Sequence, residues 1–192
     1  ASSNYRLPRI LVSTGRKPIL LLLALFVSLA ALAQPVNIVV DPPFSTRTVG
    51  ETFTITVKAD FTDAIPPLGV DDIEIHLAFD NTRLQVTAMN ELPVVAAFDT
   101  KVIPLEAAPF TATNASGQIN YHATTASGFP VADFDILSIT FTVIAGDGSA
   151  TQLTLRTDPP ANETRAARSG ASIVGAVING NITANDVGCT TP

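Results

Sequence analysis

In DIEIHLAF (72–79) apolar and polar positions alternate: Ile73, Ile75, Leu77 and Phe79 fall on one side, and Asp72, Glu74, His76 and Ala78 on the other. A period of two puts successive side chains on opposite faces of a β-strand, so the first row is expected to pack inward and the second to meet solvent. The alternation recurs in VNIVV (36–40), TFTITVKA (52–59), RLQVTAM (83–89), QINYHAT (118–124), ILSITFTVI (136–144), TQLTLR (151–156) and SIVGAVINGNITA (172–184). Helical spacing is scarce. Short period-two segments bounded by turn residues predict an all-β fold, a two-sheet jelly-roll sandwich of about nine strands.

The punctuation supports that division. Pro42-Pro43, Pro66-Pro67 and Pro159-Pro160 belong in loops or at edges, because proline offers no donor to a strand ladder. AGDGSA (145–150) supplies Gly146 and Gly148 and predicts a hairpin joining 136–144 to 151–156. The stretch from Glu91 to Phe110, broken by Pro93, Pro104 and Pro109, is expected to cross between sheets through irregular strands or a short helix. No internal repeat is visible.

Arg6, Arg9, Arg16 and Lys17 precede an apolar run from Ile19 to Ala33 that ends Ala31-Leu32-Ala33. This is the layout of a secretory signal peptide over 1–33 with cleavage before Gln34, and the run is short for a bilayer span of about 20 residues. The expected product is secreted, extracellular or at the cell surface, with one sandwich domain over 34–184 and a tail or linker over 185–192 leading towards a downstream region. Cleavage would shift the net charge from −6 (11 basic, 17 acidic) to −10 (7 basic, 17 acidic). So acidic a chain is repelled by phosphate backbones and anionic lipid, which argues against nucleic acid as a partner and against membrane association after cleavage. Cys189 is the one cysteine, so no internal disulfide forms; it is either a thiol for an external partner or without role.

Catalytic constellations are missing. His76 and His122 are the two histidines, there is no Gly-x-Ser-x-Gly elbow, and Cys189 stands in a tail. Asp71, Asp72, Glu74, Asp133 and Asp135 fall in local clusters that define no separation across a cleft, as glycoside cleavage requires. Oxygen ligands near Asp71, Asp80 or Asp147 could attract calcium but lack the regular EF-hand spacing, so no metal or cofactor is expected. Sugar-binding sandwiches stack rings on exposed aromatics, whereas residues 34–192 contain no Trp and a single Tyr, Tyr121, predicted to point inward. NAS (114–116), NET (162–164) and NIT (181–183) fit the glycosylation sequon, which matters only in a host that modifies it.

Taken in order, VGETFTITV (49–57), GVDDIEIHLAFDNTRLQV (69–86), GQINYHATTASG (117–128), DILSITFTVIAGDG (135–148) and VINGNITA (177–184) resemble a cohesin domain. The shared features are a Gly-acidic pair opening the second strand, an aromatic-Asp turn followed by Leu, a Phe-containing strand before a Gly turn, and a closing strand with Asn-Gly. The resemblance implies a non-catalytic, nine-stranded jelly-roll whose flat face binds a dockerin, a small helical module, in extracellular assembly for polysaccharide degradation. It places Asp72, Glu74, His122, Thr124, Thr125 and Gly128 at that partner-binding face, with Thr125 standing where an acidic residue is common.

The alternation names a similar set. If Ile119, Tyr121 and Ala123 face inward, then Asn120, His122 and Thr124 face out beside Asp72, Glu74 and His76. Such a surface suits a partner that supplies Lys, Arg or backbone donors. The rival expectations are a carbohydrate-binding module and a structural or adhesive spacer.

Overall fold

A computed structural model describes residues 36–61, 69–159 and 162–186. The expected signal peptide, Pro66-Pro67, Pro160 and Cys189 lie outside the described residues. The strands are β1 (Val36–Asp41), β2 (Phe44–Thr48), β3 (Thr52–Phe61), β4 (Asp72–Ala78) and β5 (Leu84–Glu91), followed by helix α1 (Pro93–Ala96), β6 (Thr100–Ile103) and helix α2 (Thr111–Ser116). Then come β7 (Gln118–Thr124), β8 (Phe134–Val143), β9 (Ala150–Leu155), β10 (Thr157–Asp158), β11 (Asn162–Glu163), β12 (Arg165–Arg168), β13 (Ala171–Ser172), β14 (Val174–Ile178) and β15 (Gly180–Asn185). Among the described residues, no helix is long and apolar enough to cross a membrane.

Two sheets form the sandwich. One runs β14-β1-β3-β8-β5; the other is built around β4, with β7 and then β6 on one side and β9 and β12 sharing the other. β9 continues to β15 and β2, and β12 to β13. The inward rows are those of the alternation. Ile73, Ile75 and Leu77 on β4 and Ile119, Tyr121 and Ala123 on β7 are buried, facing Phe53, Ile55 and Val57 on β3 and Ile139 and Phe141 on β8. Phe141 links the layers, with its ring centroid 5.6 Å from Phe53 and 5.2 Å edge-on from Phe79. Burying this apolar surface is the main favourable term for such a sandwich.

Two sequence expectations require correction, and one strand was not foreseen. The predicted hairpin over 145–150 does not form, because β8 pairs with β3 and β5 while β9 pairs with β4 and β15, so this segment crosses between sheets. Gly146 is needed for close approach: a Cβ there would sit 2.6 Å from the Ala184 carbonyl. Asp147 accepts from the Ser149 hydroxyl at 2.5 Å and from Arg83 Nη2 at 2.5 Å, contacts that, the Ser149 bond first, hold its carboxyl well below the ordinary range. The single predicted strand over 172–184 is three strands, because the chain leaves β14, parallel to β1 in the first sheet, and enters β15 in the second at Asn179-Gly180. Finally, β2 passed unnoticed in the sequence, its FSTRT carrying no inward apolar row.

The irregular stretch after Glu91 behaves as expected, crossing from β5 in one sheet to β6 in the other through the short helix α1.

Phe141→Ala is expected to destabilise the fold by about 3–5 kcal/mol in denaturant unfolding, as for a fully buried aromatic, whereas the exposed Thr52→Ala stays within about 0.5 kcal/mol. A near-neutral Phe141→Ala would mean that the layers do not meet at that ring.

Candidate functional site

The outer face of the second sheet is fixed by the pairing of β4 with β7. Their antiparallel register sets Asp72 opposite Thr124, Glu74 opposite His122 and His76 opposite Asn120, all on the side away from the core. β12 brings Arg165 opposite Glu74, and β6 brings Ile103 opposite His122. Six of the expected site residues therefore share one patch: Asp72, Glu74, His76, Asn120, His122 and Thr124.

Their charges are already paired. Arg165 Nη2 lies 2.6 Å from Asp72 Oδ2 and 3.9 Å from Glu74 Oε2, while His122 Nε2 lies 3.0 Å from Asp72 Oδ1. His76 Nε2 is 2.9 Å from Glu74 Oε1, and its Nδ1 is 2.7 Å from Asn120 Oδ1. The expectation that these carboxylates await a basic partner changes accordingly, because their oxygens are engaged within the face by Arg165 and the two imidazoles.

His76 departs from the expected exposure. It lies on the outer side of the sheet yet is only 4% exposed. Its ring is held between Glu74 and Asn120, and the ladder beside it is interrupted. β9 and β12 both run antiparallel to β4, and the ladder jumps from Leu155 opposite Leu77 to Arg165 opposite Glu74. β10 and β11 pair with each other in the intervening segment, and β11 lies against β4. At the gap the His76 N–H donates to the Thr164 hydroxyl at 3.2 Å, the same hydroxyl lies 3.2 Å from the His76 carbonyl, and the Arg156 N–H donates to that carbonyl at 2.8 Å. The ladder is thus satisfied without a continuous neighbouring strand.

Thr125 and Gly128 do not join the patch; they shape the loop at its end. The Thr125 hydroxyl lies 3.0 Å from Asp99 Oδ2 and 2.6 Å from the Ser127 carbonyl, and Asp99 also accepts the Ala126 N–H at 2.7 Å. Those bonds, the Ala126 amide first, hold the Asp99 carboxyl below its usual range. Gly128 is exposed with φ +67°, a backbone that favours glycine. Phe129 anchors the loop beneath the Arg168 guanidinium, 3.4 Å above its ring, and Arg168 reaches Asp71 at 3.6 Å.

Sequence reasoning missed Arg165, Ile103 and Val102. In RAAR, Ala166 and Ala167 are both buried, which erases the period-two signal for β12. β6 carries a register shift between Lys101 and Ile103 that leaves Val102 52% exposed at the sheet edge. Together, Ile103 and Val102 give the polar patch an apolar border. Elsewhere Phe44 is 76% exposed on edge strand β2, among the described residues a lone exposed aromatic rather than a platform of several.

Of the other acidic candidates, Asp80 is engaged by Thr82 and Arg83, Asp147 by Ser149 and Arg83, and Asp71 by Arg168 and the Ser169 N–H, while Asp133, which accepts the Phe61 N–H at 2.8 Å, and Asp135 belong to the β3–β8 side of the first sheet, away from the patch. Among the described residues, no group of three or more His, Cys, Asp or Glu side chains is placed to hold a metal ion.

A double-mutant cycle on Arg165 and Asp72 is expected to give a coupling of about 0.5–3 kcal/mol in unfolding free energy, as for residues in one bonded network. A coupling near zero would mean that the guanidinium does not hold that carboxylate in solution.

No family model matches the chain, and no curated protein sequence matches it. Solved structures do. A cohesin from Clostridium acetobutylicum, CaCohA2, aligns with a TM-score of 0.58 at 17% identity, covering 80% of this chain and 92% of that one. The sixth cohesin of Acetivibrio cellulolyticus scaffoldin B, solved with a mutant Cel5 dockerin, aligns with a TM-score of 0.58 at 14% identity, covering 79% and 99%. A cohesin module of a Clostridium perfringens family 33 glycoside hydrolase gives 0.54 at 12% identity, covering 81% and 98%. At these identities the likeness is one of architecture, and it agrees with the two-layer core: this chain has the cohesin fold, a two-sheet β-sandwich.

Proposed function

We propose that the protein is a secreted, non-catalytic module that docks a dockerin-type helical module on the outer face of β6, β7, β4 and β12, as part of an extracellular assembly serving polysaccharide degradation. The observation that carries this reading is the patch itself, internally charge-paired and bordered by Ile103 and Val102. Several solved cohesins of the same fold are bound to dockerins. A surface of amides, hydroxyls and paired ions with an apolar margin suits a helix that offers neutral polar groups and an aliphatic contact. Both ring nitrogens of His76 and Nε2 of His122 are engaged by Asn120 and carboxylates rather than by a nucleophile, which favours binding over acyl transfer. Export would begin with the signal peptide at 1–33, leaving Gln34 as the first residue of the exported protein.

Calorimetry against a panel of isolated dockerin modules tests the reading. Binding in the nanomolar to micromolar range is expected, and Ile103→Ala should weaken it by about tenfold, roughly 1.4 kcal/mol, with the melting temperature changed by only a few degrees. Retention on cellulose or xylan without dockerin binding would support a carbohydrate-binding module instead, and neither would support a spacer.

A further inference from the structure

β6 and β7 are paired for only part of their length. β6 runs beside Thr124, Ala123 and His122, and its ladder ends with Ile103 opposite His122. Pro104 follows, with no N–H to continue it. β7 extends further, to Gln118, with its pairing to β4 intact. The chain beyond Pro104 leads to helix α2, and the space left beside the first half of β7 is a cavity of about 380 Å³. Its floor is Ile119, buried in the core row of β7, and Met89, which comes from β5 in the facing sheet and packs against the same core. Ile103, Pro104 and Ala112, all exposed, form the walls and leave the mouth open to solvent.

The polar groups of the lining are already bonded. Glu106, which carries its charge, takes the Ala112 N–H at 2.9 Å and the Thr113 N–H at 2.7 Å, one on each oxygen. The Ser116 hydroxyl donates to the Thr113 carbonyl at 3.3 Å and accepts the Gln118 N–H at 3.2 Å, and Asn120 Oδ1 lies 2.7 Å from His76 Nδ1. What stands uncovered is apolar surface, and removing it from water favours an apolar occupant. A basic side chain would instead give up its hydration for a carboxylate that two backbone N–H groups already hold.

Two residues belong both to this cavity and to the patch on the outer face: Ile103, its apolar border, and Asn120, in its polar row. The two surfaces are therefore continuous. We propose that the cavity is the anchor pocket of the docking surface and takes an aliphatic side chain from the partner's helix, a role that rests on the docking reading above. A side chain seated there is one of the few contacts that carry most of an interface's affinity.

Met89 is the one methionine of the sequence, so protein carrying carbon-13 methyl-labelled methionine reports on the cavity floor through a single NMR signal. With an unlabelled dockerin module that binds, this methyl is expected to shift and to show intermolecular NOEs to aliphatic methyl protons of the module. Ala112→Leu fills the cavity from an exposed position on α2 and should weaken binding by about tenfold or more. Ala115→Leu, exposed on the same helix but outside the lining, should leave binding unchanged. A module that binds without such NOEs, or that binds Ala112→Leu as tightly as the parent protein, would overturn the anchor and leave the docking reading in place. NOEs from Met89 to an unlabelled copy in the protein alone would overturn it in favour of a second copy of this chain. A panel of dockerin modules that fails to bind at all would overturn the docking reading and the anchor with it.

Discussion

The burial of one row of side chains on β4 and β7 determines the rest. Ile73, Ile75 and Leu77 with Ile119, Tyr121 and Ala123 fill the space between the sheets, each almost wholly removed from solvent. Because side chains alternate along a strand, committing this row to the core sends Asp72, Glu74, His76, Asn120, His122 and Thr124 to the opposite face. A slip of one residue in register would place two carboxylates and two imidazoles in the dry interior, a cost of several kcal/mol per unpaired charge. The outer face is therefore specified by the core beneath it.

On that face the decisive feature is the interruption between β9 and β12. A continuous strand would have left His76 beside a plain ladder. The interruption instead brings Arg165 against Asp72 and Glu74, and Thr164 against the backbone of His76. The patch is polar but not a field of free acid, and this separates it from the strongly acidic character of the chain as a whole. Recognition on such a surface depends on shape, on the apolar border at Ile103 and Val102, and on the direction of single hydrogen bonds. Long-range charge attraction has a smaller part, since groups already paired steer a partner weakly.

The core rows could be read from the sequence because alternation is a local property of consecutive residues, whereas the pairing of β4 with β7 is a long-range contact that the sequence left as a condition. Tyr121 and Phe141 fall where the pattern puts them. What could not be read depends on contacts distant in sequence. The Gly146-Asp147-Gly148 segment has the composition of a hairpin, yet Ala184 and Arg83 claim its backbone and side chains, and β9 takes its partners from the other sheet. Arg165 sits beside two buried alanines that hide the strand, and the burial of His76 depends on groups distant in sequence, with Asn120 at its ring and Thr164 at its backbone. Thr125 and Gly128, placed at the face by resemblance, turn out to organise the loop at its end.

The central claim is that the sheet built around β4 offers the docking surface. Mapping amide chemical-shift changes as a binding dockerin module is titrated into the protein tests it most directly. The account predicts that the perturbed amides cluster on β6, β7, β4 and β12, around Ile103, Asn120, His122 and Glu74. Perturbations centred instead on the hydroxyl row of the opposite sheet, around Thr54 and Thr140, would contradict it.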